Sequence, residues 1–223
     1  MYRLIFIFII IISGIYCNEK IFYTAKFRNI NAGSAILETK NDFESGLIDV
    51  DFSLQTRKMI DMFYKLRDDV HISIDSNDYS LKQFRKTSQQ GKYKKIDEAI
   101  FDYNNNNVKY NKQVLTINNK IYDPLSIIAF LRNQILSIGE KYTFSIYSKG
   151  EIKLINLEVL KEESINIKNM QYNCFVIGHN NNNNSEIKFW LDKTPPFIPI
   201  IIETKSKNGD ILLKYKSHKF ENG

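Results

Sequence analysis

The residue whose setting most calls for a chemical explanation is Arg132. It lies in DPLSIIAFLRNQIL, residues 123–136, among apolar neighbours. A guanidinium there has three outlets. It snorkels past its neighbours to water, it pairs with a carboxylate inside the fold, or it points into a cavity and meets an anionic ligand group. Left buried and unpaired, the charge would be strongly destabilising. For an internal pair the candidate partners are Asp192 and Glu203. For a ligand, the planar fork suits a carboxylate or phosphate head, with the tail along Ile128, Leu131 and Ile135. Trp190, in IKFWLDK, is a further candidate at the rim of such a site; otherwise its indole covers a sheet surface or sits under a loop.

Other chemistries find no constellation. His71, His179 and His218 are far apart, with no H-x-x-x-H spacing, so no metal site is expected. There is no G-x-S-x-G elbow and no glycine-rich phosphate loop. Asp68/Asp69 and Glu162/Glu163 are adjacent in sequence, and on a strand they face opposite ways, which makes poor acid–base pairs. Cys174, in the apolar strand pattern YNCFVIG, reads as a buried, inert thiol. Neither a cofactor nor an enzymatic activity is expected. The net charge of +6 is spread along the chain, with lysines alternating with acids in KGEIKLINLEVLKEE, so a nucleic-acid stripe is not indicated.

The elements that must position Arg132 are one helix and many strands. Asp123 is a good N-cap, Pro124 fits the first helical position, Ser126 supports the cap and Gly139 supplies a stop. The spacing predicts a helix over 123–138. Ile127, Ile128, Leu131, Ile135 and Ile138 form its apolar stripe, widened by Leu125, Ala129 and Leu136; Ser126, Asn133 and Ser137 make a narrow polar arc. Around it, period-two alternation dominates. Ile21, Tyr23, Ala25 and Phe27 share a face, as do Ile48, Val50, Phe52 and Leu54, then Val70, Ile72 and Ile74. Further strands are expected near 79–87, 93–103, 108–118, 141–160, 171–178, 186–192, 198–206 and 210–218. Gly33 is read as lying near a turn, Lys149–Gly150 as a turn, and the Asn-Gly of KNGD (207–210) as a hairpin. Residues 56–68 could form a short helix with Ile60, Phe63 and Tyr64 on one face. The asparagine runs at 104–107 and 180–184 read as loop tips. Ile187, Phe189 and Leu191 share a face opposite Trp190, and the prolines of TPPFIP, including Pro199, suit an edge. The expected fold is mainly β: one curved antiparallel sheet, a half-barrel of roughly ten strands, wrapped around one central helix at about 123–138.

The first stretch, MYRLIFIFIIIISGIYC, has the three parts of a secretory signal: Arg3, an apolar run from Leu4 to Ile12, then small residues. The run is shorter than the roughly 20 residues a membrane span needs. Residues 1–17 are therefore expected to be a signal peptide and 18–223 a single exported domain. Lipid anchoring at Cys17 is disfavoured by the bulky Tyr16 before it.

DPLSIIAFLR resembles the DPLS-x-x-x-x-LR signature of a bacterial exported-protein family known as domain of unknown function 3108. FRNINAGSAILE resembles the family's early strand pair, and FDYNNNNV its mid-chain hairpin. FWLDKTPPFIPIIIETKSKNGDILLKY resembles its C-terminal block, with Trp190, Leu191, Asp192, Pro199 and Ile200 in order. The likeness spans about residues 20–216. One departure is that an aromatic residue is expected nearer position 129, where Phe130 stands instead. The resemblance implies export to the cell envelope, in the periplasm, and no established activity. Two functions fit: non-enzymatic binding of an amphipathic ligand such as a lipid, with at most transient membrane contact, or an interaction module for envelope assembly with a protein partner. A lined gap of several hundred cubic ångströms between helix and sheet would favour the first; a sealed interface would favour the second.

Overall fold

The structure is a computed structural model. It describes residues 17–222 apart from 28–29, 43, 63–64, 112, 149–150, 180–185 and 206–209. The expected signal segment up to residue 16, the turn at Lys149–Gly150, the asparagine run at 180–184 and the Asn-Gly turn lie outside the described residues. So do Phe63 and Tyr64.

Eight strands follow one another as an antiparallel meander: β1 (Cys17–Phe27), β2 (Ile30–Asp42), β3 (Leu47–Thr56), β4 (Leu66–Asp75), β5 (Leu81–Gln90), β6 (Tyr93–Asp102), β7 (Asn107–Tyr110) and β8 (Gln113–Thr116). A one-turn helix, α1 (Lys58–Asp61), interrupts the step from β3 to β4. Then come β9 (Ile121–Tyr122) and helix α2 (Pro124–Leu131). A second meander follows: β10 (Lys141–Ser148), β11 (Glu151–Ile167), β12 (Met170–Gly178), β13 (Glu186–Asp192), β14 (Pro199–Lys205) and β15 (Ile211–Asn222). The two meanders join where the ends of the chain meet, since β1 pairs β15 along its whole length. The chain thus runs from the middle of one sheet to the β8 edge, crosses past α2 to the β9 edge, and returns. Among the described residues no ladder links β8 to β9, so the barrel is not closed.

The architecture is mainly β, as expected, with two corrections. The sheet has fifteen strands, not about ten. Part of the difference lies in 108–118, which breaks at Asn111, a left-handed residue with φ 49°, and in the added two-residue β9. Gly33 lies inside β2 rather than near a turn: a Cβ there would meet the Gln55 carbonyl oxygen at 2.1 Å, so β2 and β3 approach too closely for any side chain. The periodic faces are otherwise as read, save that Phe27 is exposed, beyond a register shift between Ala25 and Lys26. Ile21, Tyr23, Ala25, Val50, Leu54, Ile72 and Ile74 are buried, and so are Phe189 and Leu191.

The second correction concerns the helices, of which there are two, and the central one is shorter than 123–138. Its start is as expected. Asp123 Oδ1 accepts the Ser126 N–H at 2.8 Å, and Ser126 Oγ accepts the Asp123 N–H at 2.9 Å. Its end comes at Leu131, well before Gly139. The Asn133 and Gln134 amides donate to Phe130 and Leu131, three residues back, and the Asn133 side chain donates to the Ala129 carbonyl at 2.9 Å. Polar side chains and tightened turns take the last carbonyls, and the helix unwinds. Ile135 and Ile138 therefore leave the apolar stripe and are 94% and 60% exposed, while Ser126, assigned to the polar arc, is fully buried in its cap.

Ile127, Ile128 and Leu131 press into the core. Phe130, in the place where an aromatic residue was expected one position earlier, is edge-on to Tyr79, Tyr122, Tyr142 and Phe144, with centroids 5.4–6.4 Å apart. Such pairs contribute about 0.5–1.5 kcal/mol each beyond area burial. They fix α2 against β9, β10 and the β4–β5 turn.

Candidate functional site

Between α2 and β1–β3 lies a cavity of about 540 Å³. Alternation builds its sheet wall, because Leu37, Ile48 and Val50 all point inward from β2 and β3. The helix wall is Leu125, Ile128 and Ala129, one stripe of α2. Tyr79, Phe197 and Phe220 add aromatic surface from three separate elements.

At one end of this cavity stands Arg132, the C-cap residue of α2. Its Nη1 and Nη2 donate to the two carboxylate oxygens of Glu19, at 2.6 and 2.9 Å. Nη2 and Nε also donate to the Pro196 carbonyl, at 2.9 and 3.3 Å. The two side chains are only 14% and 10% exposed. The guanidinium therefore ties three elements together: α2, β1 and the loop before β14. Its partner is neither Asp192 nor Glu203. Glu19 lies on β1, on the same face as the buried Ile21 and Tyr23, and directly opposite Thr39 and Phe220 of the flanking strands. Extending the 21–23–25 alternation back by two residues would have found it.

Burial shapes the other ionisable groups nearby. The Asp123 carboxyl is pushed up to about 6, because burial outweighs its hydrogen bonds to Ser126. The Tyr23 phenol is raised by burial and donates to the Pro199 carbonyl at 3.0 Å. The Cys174 thiol is pushed up to about 12, by burial first and then by Asp192 and Glu163.

The structure brings some of the sequence-derived candidates together and separates others. Arg132 and Ile128 line the cavity. Leu131 and Ile135 line a different recess of about 230 Å³, with Phe175, Leu191 and Asp192. Trp190 belongs to neither; it is half-buried, and its Nε1 donates to Glu163 at 3.4 Å. Asp123, Pro124 and Ser126 form the helix start, and Pro199 opens β14. Glu19, Tyr79, Phe197 and Phe220 were not singled out from the sequence. Among the described residues no group of three or more His, Cys, Asp and Glu residues could hold a metal ion, and no helix is long and apolar enough to cross a membrane.

The fold and site define an incompletely closed, barrel-like sheet, antiparallel except where β9 pairs β10 in parallel, with a lined cavity beside its helix. Residues 22–216 match the family described as "Protein of unknown function (DUF3108)", and the chain belongs to that family. In fold it is similar to the crystal structure of a beta-barrel-like protein of domain of unknown function DUF1849 from Brucella abortus. The TM-score is 0.63 at 12% identity, covering 93% of this chain and 99% of that one. No curated protein matches the chain.

Proposed function

We propose that this chain is an exported, non-enzymatic cell-envelope protein that holds an amphipathic, lipid-like molecule in the cavity between α2 and β1–β3. The observation that carries this reading is the cavity itself: about 540 Å³ of space walled mostly by aliphatic and aromatic side chains, beside a helix whose other faces are packed. Ligand sites have this size and this mixture of apolar wall and few polar groups. A space of this size takes one small, single-chain molecule. The signal-like first 17 residues support export, and a transient encounter with a membrane would supply such a molecule.

Native mass spectrometry and solvent extraction of protein purified from its own envelope test the reading. The expected result is a bound mass of lipid size, lost in Ala129→Trp, which fills the cavity from the helix side. Protein with no bound mass in either form would overturn it.

A second reading, an interaction module of the envelope, draws on the exposed Ile135 and on Ile138, just past the 230 Å³ recess beneath Leu131. It is favoured if Ile135→Glu abolishes capture of an envelope protein while Ala129→Trp does not.

A further inference from the structure

Glu19 decides what charge the cavity presents. Without it, Arg132 would offer an anionic head the planar fork that guanidinium groups use for carboxylates and phosphates. With it, both carboxylate oxygens occupy that fork, and the Pro196 carbonyl takes two further N–H contacts. The pair is bidentate and largely buried, so its two charges cancel within the wall rather than reaching across the cavity. The one other charged residue of the lining is Asp42, an exposed carboxylate held below its usual range by hydrogen bonds from the Ser45 side chain and backbone and from the Glu44 amide. It adds a negative charge to the lining. The remaining polar side chains there are uncharged hydroxyls and amides: Thr39, Asn41, Ser76, Tyr79 and Asn133.

We infer that Glu19 is a specificity-determining residue that masks Arg132, so that the cavity selects an uncharged, hydroxyl-bearing single-chain amphiphile and rejects the matching carboxylate. This rests on the reading of the cavity as a ligand site and narrows it to one chemical class. An anionic head entering here would have to displace Glu19, stranding a buried carboxylate, and would do so beside Asp42. A hydroxylated head meets groups that both donate and accept hydrogen bonds.

Monolauroylglycerol and laurate share one chain and differ in head charge, which makes them the probes. Binding of each to the full mature protein is measured at mildly alkaline pH, where laurate is ionised. The wild type is expected to bind monolauroylglycerol at least tenfold more tightly than laurate. Glu19→Gln, which unmasks the guanidinium, is expected to gain at least tenfold for laurate and so to lose most of the preference for the monoglyceride. The paired variant Glu19→Leu with Arg132→Met, which replaces both charges by apolar groups, is expected to keep the wild-type preference. Wild-type protein that binds laurate as tightly as monolauroylglycerol overturns the inference whether or not the variants fold. So does Glu19→Gln that folds without any gain for laurate. Protein that binds neither probe in any form overturns the ligand-site reading itself.

Discussion

Tyr79 and Phe197 share a backbone state and a cavity. Their φ angles are 61° and 57°, in the left-handed region, and both side chains line the space between α2 and β1–β3. Bulky residues avoid this region because the Cβ crowds the backbone, at a cost of about 1–3 kcal/mol. Hydrogen bonds hold both in place: the Tyr79 amide donates to Asp75 O at 2.9 Å, and the Phe197 amide to Thr194 O at 2.8 Å. Two turns from different halves of the sheet are thus set to present aromatic rings to one site.

Phe197 separates strain from packing. Phe197 is 37% exposed, so removing its ring gives up a partly buried aromatic surface, and relief of the backbone strain offsets that loss. Phe197→Gly is expected to leave the unfolding free energy within about 1 kcal/mol of the parent, since glycine adopts positive φ freely. Phe197→Val, which keeps apolar bulk but is β-branched, is expected to lose about 1–3 kcal/mol. Urea denaturation ranks the two. A valine variant as stable as the glycine variant would show that the turn stores no strain.

Leu131 tests whether α2 is central. It is fully buried at the helix C-terminus, between the core and the smaller recess. Leu131→Ala is expected to destabilise by about 2–5 kcal/mol in denaturant unfolding. A loss below about 1 kcal/mol would make the helix peripheral to the fold.

Asp123 sets a pH dependence. Its folded-state value of about 6 lies above the ordinary 3.8. Below about pH 4 both folded and unfolded chains hold the proton. Between about pH 4 and pH 6 only the unfolded chain releases it, so stability falls as pH rises through that window, by roughly 3 kcal/mol in all. Asp123→Asn keeps an N-cap of similar strength and cannot titrate. Its stability curve, measured from pH 4 to pH 7, is expected to be flatter than the parent's by about that amount. Parallel curves would mean that the carboxyl is not raised.

Export has its own measurement. Residues 1–17 are expected to be absent from protein isolated from its native envelope, because the apolar run from Leu4 to Ile12 is signal-like and short. Intact mass analysis reads this directly. A retained N-terminus, or a diacylglyceryl mass on Cys17, would refute simple cleavage.

The strand faces and the helix start were legible because they are set by neighbours two to four residues away. Period-two alternation marks Ile72 and Ile74 as core, and Asp123, Pro124 and Ser126 spell out a cap. The helix end was not legible. The apolar stripe continues through Ile135, while the side chain of Asn133 and the tightened turns at Phe130 and Leu131 stop the helix first. The partner of Arg132 was hidden for a different reason. Glu19 lies 113 residues away in sequence, and only the full curl of the sheet brings it to α2. Tyr79 and Phe197 were hidden because an aromatic residue in left-handed backbone has no sequence signature.

The pairing of β1 with β15 carries a consequence for the order in which the molecule assembles. Each meander pairs neighbours in sequence, which closes short loops cheaply. The ladder that joins them sets Cys17 against Asn222, the widest separation in sequence of any strand pair among the described residues. That ladder is expected to form last, so pulse-labelled hydrogen exchange during refolding should protect the amides of β3–β6 and β11–β13 before those of β1 and β15; simultaneous protection would argue against this order. The Glu19–Arg132 clasp and the Phe220 side of the cavity depend on the same late event. On the proposed reading, a ligand would then find no complete site until the last strand is in place: the Glu19 and Phe220 walls of the cavity arrive with the β1–β15 ladder.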